Sequence, residues 1–200
     1  MYISNSEIRA RARETLGTNI FDRRWFTLIG MQIVISLVLS AANYLCLGLG
    51  TLLLCGPLYV GLYKVYTQVA RGDSFIKFDT VFEGCYNFGP NMSLGVMHTL
   101  KILLWSLLFI VPGIIKSHSY ALAYYIKADH PEYGWRECLN ESEAMMSGYK
   151  LKLFKLRLSF IGWFLLSILT LGIGMLWVDV YLQTATAIFY EELKYQREYE

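Results

Sequence analysis

Charge is the scarcest commodity in this sequence. Only 17% of its 200 residues are Asp, Glu, Lys or Arg, against about 25% in an ordinary soluble domain. The net charge of +2 comes with no basic run interleaved with aromatics, which excludes a nucleic-acid groove. The three histidines, His98, His118 and His130, are widely spaced. No HExxH, GxSxG or phosphate-binding glycine loop occurs, so nothing in the chain signals an enzyme, a metal or a cofactor. The four cysteines, Cys46, Cys55, Cys85 and Cys138, form no CxxC pair and read as small apolar fillers. The apolar run from Trp25 to Cys46 is longer than a secretory h-region and no cleavage signal follows, so it reads as a retained first span.

What the sequence has is apolar residues, 55% of the total and gathered in blocks. About 20 apolar residues cross a bilayer core. On that measure spans are expected near 25–46, 51–70, 93–111, 113–128, 154–170 and 173–190, the fourth being short. Uncharged breaks separate the members of each pair: "LGLG" at 47–50, "PG" at 112–113 and "LGIG" at 171–174. Lysine and arginine collect in the longer connections and near the termini, at Arg9, Arg11, Arg13, Arg23, Arg24, Arg71, Lys77, Lys127, Arg136, Lys150, Lys152, Lys155, Arg157, Lys194 and Arg197. Because such residues stay cytoplasmic in short loops, both termini are expected inside. The fold class is all-α, a polytopic helical bundle forming one domain over 1–200, with about six spans in three hairpins. Pro112-Gly113 reads as the turn of the middle hairpin, since a mere kink would strand the basic segment 127–157 outside.

Three polar segments read as amphipathic cytoplasmic helices. Residues 4–16 open with a Ser4-x-x-Glu7 capping pattern and end at Gly17. Residues 74–83 place Phe75, Phe78, Val81 and Phe82 on one face. Residues 131–147 carry a stripe of Trp135, Leu139, Ser142 and Met146.

The strings "WSLLFIVPGIIKSHSYALAYYIKADHP", "SEAMMSGYKLKLFKLRLSFIGW" and "TLGIGMLWVDVYLQTATAIFYEEL" occur in that order. Together they resemble a bacterial integral membrane family, domain of unknown function 975, and "RARETLGTN" and "GPLYVGLYKV" extend the resemblance toward the N-terminus. The resemblance implies a multi-pass protein of the bacterial cell membrane with no established activity, and it supplies no catalytic residues. Val180 departs from the family pattern, which often has a proline before the tyrosine of the last span.

Ionisable groups within spans cost about 2.5–3.5 kcal/mol at the helix centre and normally face protein or water. Lys64, Lys116 and Asp179 are such groups. By position Lys116 and Asp179 lie at similar depth near the outer end, so an ion pair between them is possible; Lys64 lies toward the cytoplasm. Polar residues also recur at helical spacing: Gln32, Ser36, Ser40 and Asn43; Pro57, Gly61, Lys64 and Gln68; Lys116, Tyr120, Tyr124 and Lys127; Asp179, Gln183, Thr186 and Tyr190. They serve either helix packing or a shared polar interior. On the second reading Lys64, Lys116, Tyr120, Asp179 and Gln183 are the candidate ligand-binding residues. The expected function is then non-enzymatic binding or translocation of a small amphipathic or anionic molecule, with membrane lipids as partners. The alternative is an accessory or immunity-type module that acts on another membrane protein.

Overall fold

The computed structural model describes residues 4–17, 22–45, 49–73, 76–170 and 172–199, and every regular element among them is helical. In chain order these are α1 (Asn5–Leu16), α2 (Arg23–Leu45), α3 (Gly50–Ala70), α4 (Thr80–Glu83), α5 (Phe88–Leu108), α6 (Ile110–Ser119), α7 (Ala123–Asp129), α8 (Trp135–Met145), α9 (Lys150–Leu158), α10 (Ile161–Leu169) and α11 (Gly174–Tyr199). Cys46, most of the first hairpin tip at 46–48, Leu171 of the last tip, and Ser74 and Phe75 lie outside the described residues. One domain was expected. The helices group into two compact units interleaved along the chain, one comprising Met1–Gln32, Val65–Phe78 and Leu151–Glu200, the other Ile33–Lys64 and Asp79–Lys150.

In the first unit, α1 lies on α11. Ser4 caps α1, its hydroxyl accepting from the Glu7 N–H at 3.2 Å, which satisfies one of the four free donors at a helix start. Ile8, Ala12 and Leu16 recur at intervals of four and are fully buried. Polar ties flank that stripe: Arg11 pairs with Glu192 at 2.5 Å, and the Tyr181 hydroxyl donates to the Arg9 carbonyl at 2.9 Å. The stretch expected as one span over 154–170 divides at Ser159-Phe160. Its first part joins the basic α9, whose Leu153 and Leu156 are buried, and its second is the apolar α10. α11 runs unbroken from Gly174 to Tyr199, as Val180 in place of a proline permits.

In the second unit, α3 and α5 cross at glycine. A Cβ on Gly56 would collide with the Asn91 carbonyl, and one on Gly95 would meet the Gly56 backbone at 2.6 Å. Small residues of this kind let helix backbones approach closely. Gly61, one turn further on, leaves room for the backbone of Val81. The chain after α3 therefore tucks against it, and the helix expected over 74–83 is reduced to the single turn Thr80–Glu83.

The middle hairpin answers the question posed by Pro112-Gly113. The chain does reverse, but at Phe109, which is extended at φ −157°, ψ 144°. Pro112 falls in the first turn of α6, where a missing N–H leaves no helical bond unmade. Gly113 lies against Ser106 of α5, where a Cβ would come within 2.8 Å of the Ser106 Cα. Proline thus starts the returning helix and glycine closes it onto the outgoing one.

A second break, at Tyr120–Leu122, divides α6 from α7. Ser142 of α8 bridges it: its hydroxyl donates to the Ser119 carbonyl at 2.8 Å and accepts from the Leu122 N–H at 3.2 Å. All of these atoms lie in buried surroundings, where an unmade bond costs most. The stripe of α8 therefore packs inward, with Leu139, Ser142 and Met146 fully buried.

Candidate functional site

The predicted site residues fall into three places. In the second unit, the Lys116 ammonium meets the Glu143 carboxylate of α8 at 2.5 Å. It also lies 5.4 Å from the centre of the Trp105 ring and 5.6 Å from that of Tyr120. Lys101 approaches Tyr120 from α5 at 5.5 Å and is equally close to Trp135. Tyr120 thus stands between two cations, an arrangement that stabilises positive charge in a partly desolvated place. The hydrogen bond from Lys116 holds the Glu143 carboxyl below its ordinary range.

In the first unit, Asp179 accepts from the side-chain amides of Gln32 and Gln183, the latter at 3.4 Å. Gln32 on α2 and Asp179 on α11 form one polar node, and the remaining oxygen of Gln32 is buried without a partner. Lys116 and Asp179, the ion pair considered above, each have partners within their own unit.

The third place is a cleft of about 190 Å³ in the second unit, bounded by α3, α4, the start of α5 and the end of α7. Lys64 lines it, joined to Glu83 at 2.7 Å. Beside this pair are Asn87, Asn91, Lys127 and Pro131. Lys127 is only 1% exposed. Its ammonium donates to the carbonyls of Pro131 and Tyr133 at 2.7 and 2.5 Å. Asn91 is 3% exposed; its amide donates to the Gly84 carbonyl at 2.6 Å while its oxygen has no partner. A ring cluster of Tyr59, Tyr63, Tyr124 and Tyr125 joins α3 to α7, with Tyr63 edge-on to Tyr125 at 4.5 Å.

Sequence reasoning named Lys64, Lys116 and Asp179 but not the groups that hold them: Glu83, Glu143 and Gln32. Gln32 was visible on its polar face. The two glutamates lie in segments read as surface helices, where a carboxylate gives no sign of its partner. Lys127 was placed on a polar face, and its burial shows only once Pro131 and Tyr133 fold back over it. Burial pushes the Cys138 thiol up to about 11, so it remains a protonated filler.

What the fold and these sites define is an all-helical protein of interleaved units, with ion-paired lysines and a polar cleft. Residues 111–197 match the model of a family described as "Protein of unknown function (DUF975)", which supports the family resemblance over that part of the chain; the match does not extend to the N-terminal strings. No curated protein and no solved structure matches the chain.

Proposed function

We propose that this is a multi-pass bacterial cell-membrane protein, both termini cytoplasmic, that binds and helps translocate a small amphipathic or anionic molecule without catalysing a reaction. The observation that carries the membrane part is the apolar surface exposed at the hairpin tips. Leu45 is 84% exposed on the first, Leu107 82% and Ile110 76% on the second, and Leu169 83% on the third. In water such contiguous patches invite association, whereas in lipid they are at home. Among the described residues α2 alone is long and apolar enough to cross a membrane by length and composition.

The three hairpins supply six embedded arms. α6 and α10 have 10 and 9 residues, about 15 Å at 1.5 Å per residue, or half of a core about 30 Å thick. The middle and last hairpins are therefore read as re-entrant, entering and leaving on the cytoplasmic side, while α2 and α3, with 23 and 21 residues, have the length for the first to cross. The pairing of Lys116 with Glu143 supports a shallow middle hairpin, because α8 belongs to a segment whose charge keeps it inside. The polar groups Lys64, Lys116 and Tyr120 of one unit, and Asp179 and Gln183 of the other, support the binding part, since intramembrane ionisable groups are costly unless used.

Native mass spectrometry of the protein in lipid nanodiscs, beside Asp179→Asn and Lys116→Met, tests the reading. A small molecule retained by the wild type and lost in the variants is the expected result. Retention of a protein partner instead, indifferent to both substitutions, would replace this reading with that of an accessory module.

A further inference from the structure

Lys127 is the most deeply buried charge described in the second unit, yet its partners are two neutral carbonyls. An ammonium has three donors, so one N–H of Lys127 is left over. Glu132 and Glu137 act on it electrostatically, with neither hydrogen-bonded to it. Burying a charge without a counter-charge is expensive, and the Pro131 carbonyl that holds this one belongs to a residue of the cleft wall. The same wall contains Asn91, whose buried oxygen has nothing to accept from. At the rim, Lys64 brings a second positive charge against the single negative charge of Glu83. The lining thus has a net positive charge, and two of its residues, Lys127 and Asn91, hold an unused donor and an unused buried acceptor. Its volume of about 190 Å³ corresponds to roughly six waters at about 30 Å³ each.

We propose that this cleft binds a phosphate ester carrying a free hydroxyl, with the phosphate drawn to Lys127 and Lys64 and the hydroxyl donating to Asn91. This deepens the functional reading above and rests on it, naming the chemistry that one of its polar places recognises. Two sources supply such a group: a soluble polyol phosphate, or the glycerol phosphate headgroup of an anionic lipid reaching in from the bilayer.

The test is equilibrium binding of radiolabelled glycerol 3-phosphate to the full chain in phosphatidylcholine nanodiscs, run beside thermal unfolding in nanodiscs with and without phosphatidylglycerol. Asn87 is exposed at the cleft, so Asn87→Asp adds a negative charge there without disturbing the core. Lys64→Met removes a rim charge, and Lys127→Met the inner one. Saturable binding, weakened several-fold by Asn87→Asp and Lys64→Met and at least tenfold by Lys127→Met, supports a soluble ligand. Stabilisation by phosphatidylglycerol that the same variants abolish, without binding of the free ester, supports the lipid headgroup. Neither effect in the wild type, or effects that Asn87→Asp and Lys64→Met leave unchanged, overturns the proposal even if Lys127→Met fails to fold. Should a different molecule co-purify and be lost in Asp179→Asn and Lys116→Met, the inference fails while the functional reading stands.

Discussion

The Lys116 ammonium and the Glu143 carboxylate lie 2.5 Å apart, joining the last turn of α6 to the last turn of α8. The contact fixes the middle hairpin to the segment that follows it, so the hairpin and its surface helix form one structural element.

This pair makes stability depend on pH with a definite sign. Glu143 in the folded protein has its carboxyl below the ordinary value of 4.5, chiefly because Lys116 donates to it. Its contribution is therefore complete above about pH 4.5 and is lost as pH falls through the lower folded value. Both side chains are partly exposed, which limits the pair to at most about 1 kcal/mol. Thermal unfolding of wild type and Glu143→Gln should differ at pH 6, and the gap should shrink as pH falls below 4.5; a gap unchanged in acid would assign the effect to packing.

Ser142→Ala removes both bonds that bridge the α6–α7 break. The Leu122 N–H and Ser119 carbonyl are then left in buried surroundings, at a cost of about 1–3 kcal/mol. Denaturant unfolding in mixed micelles measures it, and an unchanged midpoint would mean that water repairs the break.

Glycines here divide sharply by surroundings. Gly56→Ala places a methyl group against the Asn91 carbonyl and should destabilise by about 1–3 kcal/mol as α3 and α5 are forced apart. Gly162 in α10 has nothing within 4 Å of the same added atom, and Gly162→Ala should gain about 0.5–1 kcal/mol from chain entropy. Equal effects from the two substitutions would deny the close α3–α5 crossing.

Much of this was legible in the sequence and the rest had physical reasons to be hidden. Apolar blocks and the capping signal at Ser4 placed α1, α2 and α3 within a few residues, because lengths and caps are local properties. Pro112-Gly113 correctly marked a hairpin. The reversal itself sits at Phe109, since proline is favoured in a helix's first turn as much as in the turn before it. The division at Ser159 was missed because hydropathy averages over a window and blurs a basic helix into the apolar one that follows. Lys64, Lys116 and Asp179 stood out as charges in apolar surroundings. Their partners did not, because a pairing across many residues is a tertiary fact.

The central claim is that the hairpin tips sit in lipid. Nitroxide labels on single cysteines at Leu45, Leu107 and Leu169, in a background without the native cysteines and in nanodiscs, would measure it by collision with oxygen and with a water-soluble nickel complex. Asn140 on the exposed side of α8 is the reference. The account predicts that oxygen dominates at all three tips and nickel at Asn140; nickel access at the tips equal to that at Asn140 would place them in water and contradict it.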